Sequence, residues 1–206
     1  MIVKALAIAC AAAVTGLSVG VDSGATPRRS SGCPGDFRWP VKTLSDRNDR
    51  FVDFRPQGSY VEEVRKFPRP PGIGPRTPRM RNQERQVFRV GIRLVESRLA
   101  TTGDIVLIGK NVIDPRVSIA LEFPDPTCDG AARSAKRRAM RRARAAFIRE
   151  CGMPGRKVRY LGYGVATVTG VGYFDSLKGP AAVAPNGFEL HPVLSFSTPG
   201  CNNPPP

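Results

Sequence analysis

Residues 86–97 read QVFRVGIRLVES. Phe88, Val90, Ile92 and Leu94 alternate with Arg89, Gly91 and Arg93. A period of two marks a strand with one face buried and the other toward solvent. Downstream, Thr101-Thr102-Gly103 supplies a turn and Asp104 to Gly109 a second strand. Val117 to Phe123 alternates again as a third, and Pro124-Asp125-Pro126 stops it, because proline offers no amide proton to a ladder. Ser134 then caps a helix running to about Cys151, with Gly152 as its stop signal and Pro154 beyond. Val158 to Tyr173 forms one glycine-punctuated strand, or two with a bend at Gly162-Tyr163-Gly164. Ser176 to Gly187 is a loop, and Phe188 to Ser197 is the last strand.

Three strands, one helix and two strands is the element order of an OB-like five-stranded Greek-key barrel, with its helix between strands 3 and 4. The expected fold is therefore mainly β, with the barrel over 86–198 and a Pro-rich tail over 199–206. Another small α+β sandwich is the alternative. Upstream, 26–85 is a Pro/Arg-rich segment that wraps the barrel. Within it, Val61 to Lys66 suits one or two helical turns, and 66–85 (KFPRPPGIGPRTPRMRNQER) suits an extended arm, since its prolines disfavour helix and sheet.

Residues 1–25 read as a cleaved secretory signal: Lys4, an uncharged stretch from Ala5 to Gly20, then small residues at Ser23 and Ala25. The implied location is extracellular or periplasmic. Beyond that stretch no apolar run reaches the roughly 18 residues that cross a bilayer. Without Cys10, the remaining Cys33, Cys128, Cys151 and Cys201 make an even set in an exported chain, which points to disulfides. No two are spaced as C-x-x-C, so structural zinc is not indicated. Joining Cys128 to Cys151 requires 129–134 to fold straight back along the helix, and the connectivity stays open.

The 206 residues include 32 Lys and Arg against 17 Asp and Glu, a formal net charge of +15. Hydrophobic residues make up 41%, enough for a core, while 20 Pro and 21 Gly argue against a helical bundle. The basic excess concentrates in the helix. At about 100° per residue, Arg137, Arg138, Arg141, Arg142, Arg144 and Arg149 share one side, with Ala135, Ala139, Ala143, Ala146 and Phe147 on the other. Like charges so aligned repel, and no acid at i±4 relieves them before Glu150. The arrangement points to an anionic polymer, a nucleic acid or an envelope polyanion, whose binding releases counterions. The arm adds Arg69, Arg76, Arg79, Arg81 and Arg85, and Tyr160, Tyr163, Tyr173 and Phe174 are the aromatics available for stacking. A solvated basic face without a partner is the plainer reading.

The competing reading is a metal-assisted phosphodiesterase or nuclease on an OB-type barrel. Its candidate catalytic residues are Asp104, Glu122 and Asp175, joined by His191 as a general base beside Glu189 or Asp175. A lone imidazole makes no His-based metal site, so no metal ligand set is assigned, and alternation makes His191 a packed, hydrogen-bonded strand residue on the face of Glu189. No G-x-S-x-G and no phosphate-loop pattern occurs, so no cofactor is indicated. The primary reading is a non-enzymatic polyanion-binding module. A structural envelope protein is the third reading.

Four stretches, WPVKTLSD (39–46), LEFPDP (121–126), VTGVGYFD (168–175) and VAPNGFELHPVLSF (183–196), resemble a bacterial family of small exported proteins of undetermined function. The resemblance covers most of 39–196. It implies a secreted or periplasmic domain and assigns no reaction. Such relatives carry a His in the second strand where this chain has Val106, and His-Gly-Gln where it has Lys178-Gly179-Pro180.

Overall fold

The computed structural model describes residues 33, 37–162, 164–177 and 184–201. The proposed signal peptide, Tyr163, Lys178-Gly179-Pro180 and the end of the tail lie outside the described residues.

Seven strands are present among them: β1 (Asp53–Ser59), β2 (Gln86–Leu99), β3 (Ile105–Lys110), β4 (Ser118–Phe123), β5 (Arg159–Tyr160), β6 (Val165–Phe174) and β7 (Phe188–Ser197). Helices are α1 (Trp39–Lys42), α2 (Val61–Val64) and α3 (Arg137–Cys151). The pairing runs β2-β3-β4-β7-β6 and returns to β2, which closes a five-stranded barrel. Pairs within the barrel are antiparallel except β4 with β7, where Ala120 faces Glu189 and Leu121 faces Leu190. The architecture is thus mainly β and OB-like, with α3 between the third and fourth barrel strands.

Alternation decides which side chains fill the barrel. Phe88, Val90, Ile92 and Leu94 from β2 are at most 3% exposed and meet Ile105, Leu107, Leu121, Phe123, Val168, Phe188 and Leu190. Full burial of such side chains contributes about 1.5–3 kcal/mol each. Phe147 of α3 plugs this core, its ring 5.2 Å from Phe123 and 5.5 Å from Phe196. Strand β3 is buried on both faces, which explains its unbroken apolar run. Pro192 sits inside β7 where the register against β6 shifts, so its missing N–H costs no regular ladder bond.

One open alternative is decided, and two features differ from the sequence expectation. The region 158–173 resolves as two strands, with β5 pairing the far end of β2. Strand β1 was not legible: DFRPQGS lacks alternation, and it forms because its backbone pairs in parallel with β2 at the sheet's edge, a position that tolerates Pro56. The helix begins at Arg137 rather than Ser134. Ala131–Arg133 makes a 3-10 turn, and the Ser134 hydroxyl accepts from the Lys136 amide at 3.2 Å.

Residues 37–46 form a strap across the outer face of β6 and β7. Leu44 packs with Val87, Val171, Ala131 and Met140. Arg38 is 2% exposed and grips Glu84 through two bonds of 2.7 and 2.6 Å. Glu84 in turn accepts from the Met80 and Phe174 amides. Gly130 (φ +89°) lets the strap approach, since a Cβ there would meet Thr43 Oγ1 at 2.7 Å. Two disulfides close the chain, Cys33–Cys128 and Cys151–Cys201. The first ties the strap's leading end to the loop before α3, and the second ties the end of α3 to the C-terminal segment.

Candidate functional sites: a buried carboxylate–histidine cluster and an arginine face

The alternation of β7 sends Phe188 and Leu190 into the barrel and Glu189 and His191 outward. Outward here means beneath the strap, so His191 is 0% and Glu189 2% exposed. Asp104 enters at the start of β3, Glu122 near the end of β4, and Asp175 just after β6. Lys42 descends from the strap. Together these residues form one cluster. His191 Nδ1 lies 3.2 Å from Glu122 Oε2 and 3.3 Å from Glu189 Oε1, and its Nε2 lies 3.8 Å from Asp104 Oδ2. Lys42 Nζ lies 3.3 Å from Asp175 Oδ2 and 4.0 Å from Glu122 Oε2. The Tyr173 ring stands edge-on to the imidazole at 5.8 Å, and its hydroxyl donates to Phe37 O at 2.8 Å.

The electrostatics follow from four carboxylates sharing a poorly hydrated space with one ammonium and one imidazole. Burial pushes the Asp104 carboxyl up to about 6, against the pull of His191. Burial also raises Glu122, with Glu189 adding to the effect. His191 is lowered, chiefly because burial disfavours its charged form. For Lys42, burial alone favours the neutral amine, but Glu122, Glu189 and Asp175 outweigh it and hold the ammonium well above its ordinary value.

Asp104, Glu122 and His191 each bring one ligand atom within 4.8 Å of the others, and so do Glu122, Asp175 and Glu189. The four candidates Asp104, Glu122, Asp175 and His191 therefore do converge, through Glu122. Sequence reasoning missed Lys42 as a member, because a lysine in WPVKTLSD carries no sign that it will be buried. The members Lys42, Glu122, Tyr173 with Asp175, and Glu189 with His191 come from the stretches 39–46, 121–126, 168–175 and 183–196. Val106 stands opposite Glu122 in the β3–β4 ladder and packs with Ile108 and Ala120.

The arginine face of α3 is a separate feature. Arg137, Arg138, Arg141 and Arg142 are exposed and have no acidic partner within ion-pair distance among the described residues. They span an arc of about 140° at 100° per residue. Arg149 is exposed in the same arc but pairs with Glu150 at 2.8 Å. Arg144 does not belong to this face. It is 7% exposed and donates to Phe123 O and Gly103 O, both at 2.9 Å. Its position lies about 20° beyond Cys151, at the margin of the stripe made by Met140, Ala143, Phe147 and Cys151 and about 20° from Arg137. Lys136 places its ammonium 3.7 Å above the Phe54 ring.

The arm divides in the same way. Arg79 is 2% exposed, bound to Asp46, Val41 O and Glu84 O, and is structural. Arg69, Arg81 and Arg85 line an open groove of about 640 Å³ with Pro68, Pro70 and Pro71. Of the aromatics considered for stacking, Tyr173 and Phe174 are buried, which removes them as a platform, while Tyr160 is 78% exposed. No helix among the described residues is long and apolar enough to cross a membrane. No family model, curated protein or solved structure matches the chain.

Proposed function

We propose that this protein is an exported, non-enzymatic module that binds anionic polymers, nucleic acid or envelope polyanion, through the exposed face of α3. One observation carries the reading: Arg137, Arg138, Arg141 and Arg142 stand on one helical arc with no carboxylate among the described residues to neutralise them. Their mutual repulsion is relieved when an anionic polymer replaces dispersed counterions. The two disulfides support an oxidising compartment. Burial of Tyr173 and Phe174 favours recognition by charge rather than base stacking.

The hydrolytic alternative gains one favourable observation, the convergence of Asp104, Glu122 and Asp175. Against it, Asp104 is 1% and His191 0% exposed, leaving a phosphodiester no approach to them. Retention on heparin and single-stranded DNA columns tests the primary reading. The protein should elute from both only at raised salt, and replacing all four arginines by Gln should lower the eluting salt concentration clearly on both. Unchanged retention of the folded variant would remove α3 from the account.

A further inference from the structure

We propose that Asp104, Glu122 and His191 form a site for one divalent transition cation of the zinc or manganese kind, enclosed between the barrel and the strap.

His191 Nε2 and Asp104 Oδ2 are both buried, and neither has a hydrogen-bond partner among the described residues. They face each other across 3.8 Å. Leaving such atoms unpaired in a dry interior costs about 1–3 kcal/mol each. A cation about 2.1 Å from each atom would sit between them at an angle of roughly 130°, within the range of open coordination. Glu122 stands beside Nδ1 of the same ring at 3.2 Å, and one ligand atom from each of Asp104, Glu122 and His191 lies within 4.8 Å of the others, so Glu122 is the candidate third ligand, reached by a turn of its carboxylate.

The surroundings fit that role. A metal-binding imidazole normally gives its other N–H to a carboxylate, which fixes the tautomer and raises its basicity. Here Nδ1 has Glu122 Oε2 at 3.2 Å and Glu189 Oε1 at 3.3 Å, and Glu189 accepts its N–H, which leaves the Nε2 lone pair toward Asp104. The neighbouring group of Glu122, Asp175 and Glu189 already contains a cation, the Lys42 ammonium. Asp104, by contrast, has no Lys or Arg within ion-pair distance among the described residues; the charged groups acting on it are His191, Glu122, Lys42 and, from beyond ion-pair distance, Arg144. Two carboxylates with a neutral imidazole match the charge of one divalent ion. The nitrogen donor selects zinc or manganese over calcium and magnesium, which prefer all-oxygen shells. Such an ion would join β3, β4 and β7 directly beneath the strap.

The chain contains a single histidine, so its imidazole is a unique spectroscopic reporter. Full-length protein, stripped with a chelator and then titrated with zinc alone, should bind one equivalent. The His191 ring ¹⁵N signals should shift with zinc, and its ring protons should broaden at a few per cent of an equivalent of manganese. Asp104→Asn and Glu122→Gln should each weaken zinc binding at least tenfold, while replacing the exposed Arg156 by Gln should leave it unchanged. Should either variant fail to fold, the wild-type imidazole signals decide. The proposal falls if those signals ignore saturating zinc and manganese in the folded protein, if only calcium binds, or if folded Asp104→Asn binds zinc as tightly as the wild type.

Discussion

The ammonium of Lys42 lies 3.3 Å from Asp175 Oδ2 while only 1% of its side chain meets solvent. This contact brings a cation from the strap into a pocket of barrel carboxylates. Removing one member of a buried ion pair is far more costly than never having made it, because the remaining charges stay desolvated. Lys42→Met should therefore lower stability by about 3–5 kcal/mol, read from the urea midpoint at unchanged slope. A loss under about 1 kcal/mol would mean that the carboxylates are neutralised by something other than Lys42.

The Cys33–Cys128 bridge encloses a sequence separation of 95 residues. Closing so long a loop reduces the entropy of the unfolded chain, and the Cys33→Ser, Cys128→Ser double variant should lose about 4–5 kcal/mol. Because the bridge anchors the strap's leading end, amide exchange should rise first at Val41 to Leu44. Uniform exchange across the barrel instead would show that the strap does not open independently.

Arg144 and its helical neighbours should separate cleanly in two measurements. Arg144→Gln removes two charge-assisted bonds to Phe123 O and Gly103 O, and should cost about 2–4 kcal/mol with little effect on polyanion binding. Arg141→Gln should change stability by less than about 0.5 kcal/mol and weaken binding. Reversed results would move Arg144 back to the exposed face.

The barrel was legible because its strands carry their own instructions. Phe88 to Leu94 alternate cleanly, Val117 to Phe123 end at proline, and the helix ends at Gly152, which takes φ +76°. Strand β1 was not legible, since its pairing comes from the neighbouring backbone rather than from side chains. The cluster was half legible. The carboxylates and His191 could be named as candidates, but their burial depends on the strap, which lies far away in sequence. Arg144 misled for a related reason: a guanidinium reads as a surface group until two carbonyls inside the fold are found to need its protons. Periodicity set it on the basic side with Arg137, Arg138, Arg141, Arg142 and Arg149, and only packing against β4 and the turn at Gly103 turned it inward.

The most direct test of the central claim is the salt dependence of binding to a defined anionic oligomer, such as single-stranded DNA. Log Kobs should fall linearly with log salt, and replacing Arg137, Arg138, Arg141 and Arg142 by Gln should reduce that slope by about 3, near 0.7–0.9 for each phosphate no longer neutralised. A folded quadruple variant whose slope equals that of the wild type would contradict the account.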